Sequence, residues 1–299
     1  KNKVINSLDW SDSTKIPFEV YTDESIYKLE QENIFRGETW SFVALESELA
    51  EAFSYKSTFV GDVPVVATRD DKDNFYVWVN RCSHRGAEVC RERHGKSEDG
   101  VFTCVYHQWA FDASGECVGV PFRKGHGGKG GFPKDFKPSD RPLQKLKVER
   151  LGGLIFASFA DQGPTLEEYL GPQMLKMMLR VLCKPIEYLG VTRQYVNANW
   201  KLYTENTKDP YHASLLHLFH ATFGVYRSTM GGGAEIGGPL NMHSLLSAYV
   251  IENEDKSEYE KGDLRTYDTG VKLADTSVLE VTPELDPVFT NHIQSILGR

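Results

Sequence analysis

Cys82-Ser83-His84, followed after nineteen residues by Cys104-Val105-Tyr106-His107, constrains this chain more than any other feature. The four side chains arrive as two short Cys/His pairs, so two loops must meet over one inorganic centre. Two thiolates can ligate one iron of a two-iron cluster and two imidazoles the other. Replacing two anionic sulfurs by neutral nitrogens raises the reduction potential above that of an all-cysteine cluster. Such a centre accepts electrons readily from a ferredoxin or flavin. Tetrahedral zinc also takes Cys2His2 ligand sets. Zinc knuckles usually carry two like ligands each, whereas each knuckle here mixes one cysteine with one histidine.

Composition fits an enzyme component with a substantial core. The chain has 299 residues, about 40% of them apolar, enough for two domains. A net charge of −8 with interspersed signs argues against a nucleic-acid partner. No apolar run approaches the roughly 20 residues that cross a bilayer; the longest, around Gly152 to Ala160 and Val63 to Ala67, have core-strand length. No signal peptide is read, and a cytoplasmic location without membrane contact is expected. With Cys82 and Cys104 assigned to the cluster, Cys90, Cys117 and Cys183 are expected as free thiols with a packing role in a reducing compartment.

The coarse pattern predicts an α+β chain in three parts. Residues 1–39 read as a lead-in expected to pack on the third part, residues 161–299, with Ile16 to Tyr21 extended and a helix from Ser25 to Phe35 behind Asp23 as N-cap. Residues 40–160 read as a β-rich cluster domain with strands Val63–Ala67, Phe75–Val79 and Leu154–Phe159. Asp70 to Asn74 is a hairpin tip, and Lys124 to Gly131 is an exposed glycine-rich loop without the Gly-Lys-Ser/Thr ending of a phosphate cradle. Residues 161–299 predict a helix over Leu166–Leu182, a strand over Ile186–Val196 and a second helix from about Asn199.

Around that second helix Asp209, His212 and His217 place two imidazoles five residues apart, with a carboxylate three residues before the first. A regular helix brings i and i+4 onto one face, so this spacing alone suits polar surface or satisfied core histidines as well as ligands.

The flanks carry a more specific signal. Cys82-Ser83-His84-Arg85-Gly86 with Cys104-Val105-Tyr106-His107-Gln108-Trp109 resembles the Rieske motif of aromatic-ring-hydroxylating oxygenases, and Asn199 to Asn206 through Asp209, His212 and His217 resembles their mononuclear-iron motif, in the same order. Respiratory-chain Rieske proteins carry an extra cysteine in each loop; Ala87 and Tyr106 stand at the matching positions here, so that disulfide cannot form.

The resemblance implies a [2Fe-2S] cluster on Cys82, His84, Cys104 and His107, and a mononuclear Fe(II) on His212 and His217 with one further aspartate. It implies a β-rich cluster domain followed by a mixed α/β catalytic domain with a helix-grip-like antiparallel sheet. Asp209 would be no ligand: it would accept hydrogen bonds from His212 and from a cluster histidine of a neighbouring subunit, His107, within a homotrimer that a small β subunit often accompanies. Electrons would come from NADH through a separate ferredoxin or reductase, since this chain has no Gly-x-Gly-x-x-Gly turn.

Arg91 to Gly95, Gly119 to Arg123 and Asp209 to His217 look most like the large subunits that hydroxylate aromatic carboxylates, including terephthalate, anthranilate and salicylate. Leu216, Leu218, Phe219, Phe223 and Val225 are candidate pocket walls, while His220 and His243 read as polar or packing residues. The third iron ligand is not identified: Glu284 and Asp286 sit in a proline-bounded loop, and the resemblance places the aspartate past residue 299, so the chain is expected to be C-terminally incomplete. A Rieske electron-transfer protein, or a homologue with an intact cluster and an incomplete iron site, is the alternative. The second motif argues against the first of these.

Overall fold

The computed structural model describes residues 3–12, 14–209, 230–237 and 242–250. The chain divides into two units, 1–169 with 182–194, and 170–181 with residues from 195 onward. Ten strands build the first unit. In chain order they begin with β1 (Ser41–Leu45), β2 (Ser54–Val60), β3 (Val63–Arg69), β4 (Phe75–Val79) and β5 (His94–Lys96). They continue with β6 (Val101–Thr103), β7 (Ala110–Asp112), β8 (Cys117–Gly119), β9 (Lys145–Leu151) and β10 (Leu154–Ser158). A seven-stranded antiparallel sheet has the order β1-β10-β9-β4-β3-β2-β5, and a three-stranded sheet the order β6-β7-β8.

β3 is buried on both faces: Val65, Val66, Ala67 and Thr68 have no exposed surface. Val65 and Ala67, with Val77 and Val79 of β4, join a core containing Val43, Leu49 and Ile155. Val66 and Trp78, paired across the ladder, turn to the opposite core with Phe102, Trp109 and Phe111. Strands covered on both faces read as unbroken apolar runs rather than alternating ones, which accounts for Val63-Pro64-Val65-Val66-Ala67. The hairpin tip falls where the sequence predicts it, because the Asp70 carboxylate accepts the N–H groups of Lys72 and Asn74, both at 2.8 Å. The carbonyl of Ala113, just past β7, helps fasten the small sheet to the large one. Ala113 O accepts from Thr68 Oγ1 at 2.6 Å and from Trp78 Nε1 at 3.2 Å.

The lead-in differs in part from expectation. Ile16 to Tyr21 is not a continuous extended run: α1 (Lys3–Ser7) is followed by a short α2 (Glu19–Thr22). The β-forming side chains here find no sheet edge, and local bonds from Val20 N–H to Pro17 O and from Tyr21 N–H to Phe18 O close turns instead. Asp23 caps α3 (Glu24–Glu30) by accepting from the N–H groups of Ser25 and Ile26, and a π-helical turn over Gln31–Phe35 completes the expected helix. That turn docks on the β2–β3 connection, where Gln31 Oε1 accepts the Asp62 N–H at 2.8 Å and Arg36 pairs with Asp62 at 3.0 Å.

The expected helix over Leu166–Leu182 is α4 (Leu166–Val181), but it is two segments meeting at Gly171 (φ 73°, ψ 163°) ahead of Pro172. Proline removes a helical N–H and disfavours the α conformation just before it, and glycine tolerates the left-handed backbone that results. Thr165 and Glu168 form a reciprocal capping box at its start. The strand expected over Ile186–Val196 does not form. Its apolar side chains find no ladder, and Leu189 is 89% and Tyr195 93% exposed. In the second unit Asn199 caps α5 (Trp200–Lys208) by accepting from Lys201 N–H. β11 (Met230–Gly237) and β12 (His243–Val250) pair antiparallel, with His243 opposite Gly237. Among the described residues no helix is long and apolar enough to cross a membrane.

Candidate metal centre

Two loops carry the four candidate donors, and they are built alike. In the first, Cys82 N–H donates to Ala87 O and Gly86 N–H donates back to Cys82 O, both at 2.8 Å; in the second, Cys104 N–H donates to Trp109 O and Gln108 N–H to Cys104 O, both at 2.9 Å. Each loop turns through a left-handed residue four places after its cysteine, Gly86 (φ 79°) and Gln108 (φ 56°). Glycine adopts this conformation freely, whereas a residue such as glutamine does so at a cost that the surroundings must hold.

The donors come as two pairs with different environments. Cys82 and Cys104 are buried and lie side by side, each thiol within hydrogen-bonding reach of the other. His84 is exposed and His107 half-buried, with ring centroids 4.6 Å apart. A thiol pair beside an imidazole pair suits the two irons of one cluster, one iron on each pair.

Electrostatics fit the same group. Burial pushes the Cys82 thiol up to about 11, with the His84 N–H offsetting part of this and neighbouring Cys104 adding to it. Partial desolvation by the packed Trp109 and His107 rings, then the charges of nearby His107 and Arg85, hold His84 below the usual imidazole range although it is exposed. Neutral imidazole is the form that ligates metal, and buried thiols are kept ionised by the cation they bind.

Several residues hold the loops in place without a role that the motif assigns. Asn80, 3% exposed, accepts the N–H groups of Val89 and Cys90 at 3.0 Å and donates to Cys90 O at 2.7 Å, stapling the far end of the first loop to the end of β4. Ser83 Oγ donates to Arg141 O at 2.8 Å. Trp109 stacks on His84 with centroids 4.8 Å apart. Asn80 was legible only as the polar residue that ends the apolar run Phe75 to Val79; nothing in the pattern specified its three bonds. Cys90 and Cys117 are buried free thiols, as expected, and burial pushes Cys90 up to about 12. Cys183 is exposed, so the packing role expected of it is wrong: it lies in the stretch that forms neither helix nor strand.

Of the second motif the structure describes the opening segment, Asn199 with α5, and Asp209. Asp209 ends α5 in an extended conformation (φ −92°, ψ 103°) with its N–H on Asn206 O, just before Pro210, so the helix stops short of the motif's histidines. His212, His217, His220, Leu216, Leu218, Phe219, Phe223, Val225, Glu284 and Asp286 lie outside the described residues.

Residues 39–136 match the family model of the Rieske [2Fe-2S] domain. Over 285 residues the chain is 48% identical to the anthranilate 1,2-dioxygenase large subunit of Burkholderia cepacia, an alignment covering 95% of this chain and 67% of that protein. It is 39% identical to the terephthalate 1,2-dioxygenase terminal oxygenase component subunit alpha 2 of Comamonas sp., covering 95% of this chain and 68% of that protein. The solved structure of naphthalene 1,2-dioxygenase from Rhodococcus sp. bound to indole superposes with a TM-score of 0.64 at 28% identity, over 78% of this chain and 56% of that one. The chain thus spans about two thirds of the length of these sequence relatives.

Proposed function

This chain belongs to the large subunits of Rieske-type aromatic-ring-hydroxylating oxygenases, and from that premise we propose that it is the terminal oxygenase subunit of a multicomponent dioxygenase or hydroxylase acting on an aromatic carboxylate. The observation that carries the reading is the donor arrangement: two buried thiols behind two imidazoles that reach the surface, on loops of matched construction. In this reading Cys82 and Cys104 hold one iron, and His84 and His107 the other.

When bound, the cluster supplies single electrons and a ferrous centre on His212 and His217 supplies the dioxygen chemistry of ring hydroxylation. The rest falls to side chains. The buried thiol pair keeps water from the sulfur side, and stacked Trp109 fixes the plane of His84. Asp209, set in extended backbone beyond the last turn of α5, accepts from His212 and, across a subunit boundary, from a cluster histidine, which fixes the tautomer of each. Such a bridge requires an oligomer, and a homotrimer with head-to-tail contacts closes it with one kind of interface. A small β subunit and a separate NADH-linked ferredoxin or reductase complete the assembly, and free cysteines suit a cytoplasmic setting. Support for the substrate class comes from the relatives, whose names specify anthranilate and terephthalate, both aromatic carboxylates.

The test is iron and acid-labile sulfide per chain in the assembled, anaerobically purified oxygenase, together with His212→Ala. Three irons and two sulfides are expected. His212→Ala removes one iron and all product formation from aromatic acids while sparing the visible spectrum of the cluster. Zinc without labile sulfide overturns the reading, as does unchanged turnover in His212→Ala.

A further inference from the structure

We propose that the stretch from Arg123 to Arg141 is the docking surface for an acidic, ferredoxin-type electron-donor protein. The proposal rests on the cluster reading above and adds where, and by what chemistry, the donor is recognised. Arg123, Lys124, Lys129, Lys134, Lys137 and Arg141 face only Asp135 and Asp140 in this stretch, which carries +4 while the remainder of a −8 chain carries −12. All six cations are exposed. Elsewhere in the first unit Lys56, Arg69, Lys96, Lys145 and Arg150 each pair with a carboxylate. Among the described residues none of the six has an ion-pair partner. Concentrated like charge raises the energy of the folded chain through self-repulsion, and a complementary partner relieves it.

The stretch is a built element rather than a slack linker. His126 and Lys129 exchange two backbone hydrogen bonds at 3.1 Å, and Phe132 N–H returns to Arg123 O at 3.0 Å. A Cβ on Gly125 would stand 2.2 Å from Lys129 O, so the two arms are pressed together and the glycine there is obligatory. Lys124 and Lys129 are therefore held out on a closed hairpin.

Its base connects directly to the cluster edge. Phe132 and Phe136, 4.4 Å apart, meet the edge of Trp109 at 6.4 and 6.1 Å, and Trp109 stacks on His84. Phe122 precedes the stretch and is 73% exposed, and Tyr106, beside His107, is 64% exposed. Exposed aromatics with an unpaired cationic flank suit a small, short-lived complex steered by charge, the kind that electron-transfer partners form. An acidic protein domain matches a patch this local, whereas a nucleic acid would run on over the −12 remainder. In the transfer itself the donor loses one electron and the cluster gains one, and no atom moves.

Rapid-mixing reduction of the holoenzyme distinguishes the outcomes, with a pre-reduced plant-type ferredoxin as the acidic donor, dithionite as a small reductant, and Lys124→Glu/Lys129→Glu as the variant. The ferredoxin rate of the wild type is expected to fall steeply with salt, and the variant to be slower by about tenfold at low salt with a flattened salt dependence. Dithionite rate, visible spectrum and sedimentation should not change. Equal ferredoxin rates for the two proteins, including reduction of neither, overturn the proposal. So does a change of oligomeric state in the variant, which makes the hairpin a contact between copies of the chain. Failure of dithionite to bleach the wild type removes the cluster reading and this proposal together.

Discussion

Trp109 lies flat against His84, ring centroids 4.8 Å apart and planes within 7° of parallel, although one residue is buried and the other exposed. The indole is in turn gripped at its edges by Phe132 and Phe136, so an imidazole at the surface is oriented by the core beneath it. Trp109→Ala should cost about 3–5 kcal/mol, the usual toll for emptying a buried aromatic site. Labile sulfide per chain should fall with it, and Trp109→Phe should restore most of both. Urea unfolding and sulfide analysis check this; full cluster content in Trp109→Ala would show that the stack does not hold His84.

Asn80 makes three hydrogen bonds with both halves of its amide and has almost no contact with water. Asn80→Ala leaves two N–H groups and one carbonyl without partners in the core, a loss of roughly 2–4 kcal/mol. Asn80→Asp keeps the acceptor but puts a charge there without its donor, and should be at least as unstable. Urea midpoints for both variants decide it.

Glu48 is a buried carboxylate (side chain 3% exposed) with Lys56 Nζ at 2.6 Å and His94 Nε2 at 3.3 Å. Burial alone would raise its pKa, but the Leu45 N–H, the Lys56 ammonium and His94 outweigh it and hold the carboxyl below its usual 4.5. A carboxyl depressed in the folded state stabilises fully above its unfolded pKa, and the contribution drains away as pH falls through the folded value. Glu48→Gln strands Lys56 and should therefore cost about 3 kcal/mol at neutral pH, with the gap to wild type narrowing once pH drops below about 4.5. Unfolding curves from neutral to acid pH measure it; a gap independent of pH contradicts the assignment.

Thiol chemistry offers a direct check on the core. Cys90 and Cys117 are buried, and burial raises both pKa values, that of Cys90 to about 12, whereas Cys183 is exposed. Thiolate is the reactive form, so iodoacetamide on the native holoprotein should label Cys183 alone, with Cys90 and Cys117 reacting only after unfolding. Peptide mass spectrometry reads this, and native labelling of Cys90 would contradict its placement.

Much of the centre was determined by local sequence. Cys82, His84, Cys104 and His107 need only short loops to present their side chains, Asp23 needs only the N–H groups of Ser25 and Ile26 to cap α3, and Asp70 closes its hairpin with bonds inside five residues. Interactions of that range are encoded in the segment that makes them. What the tertiary structure decided is whatever depends on a distant partner. Ile16 to Tyr21 and Ile186 to Val196 carry strand-forming side chains, yet a strand exists only where another strand supplies its hydrogen bonds, and these stretches meet none. Asn80 finds Val89 and Cys90, Trp109 finds His84, and Phe132 and Phe136 find Trp109 only once the two sheets are pinned at Ala113. The candidate metal donors were legible from residue type and spacing, but the burial that separates a dry thiol side from an exposed imidazole edge is a property of the packed fold, because solvent exclusion is set by neighbours far away in the chain.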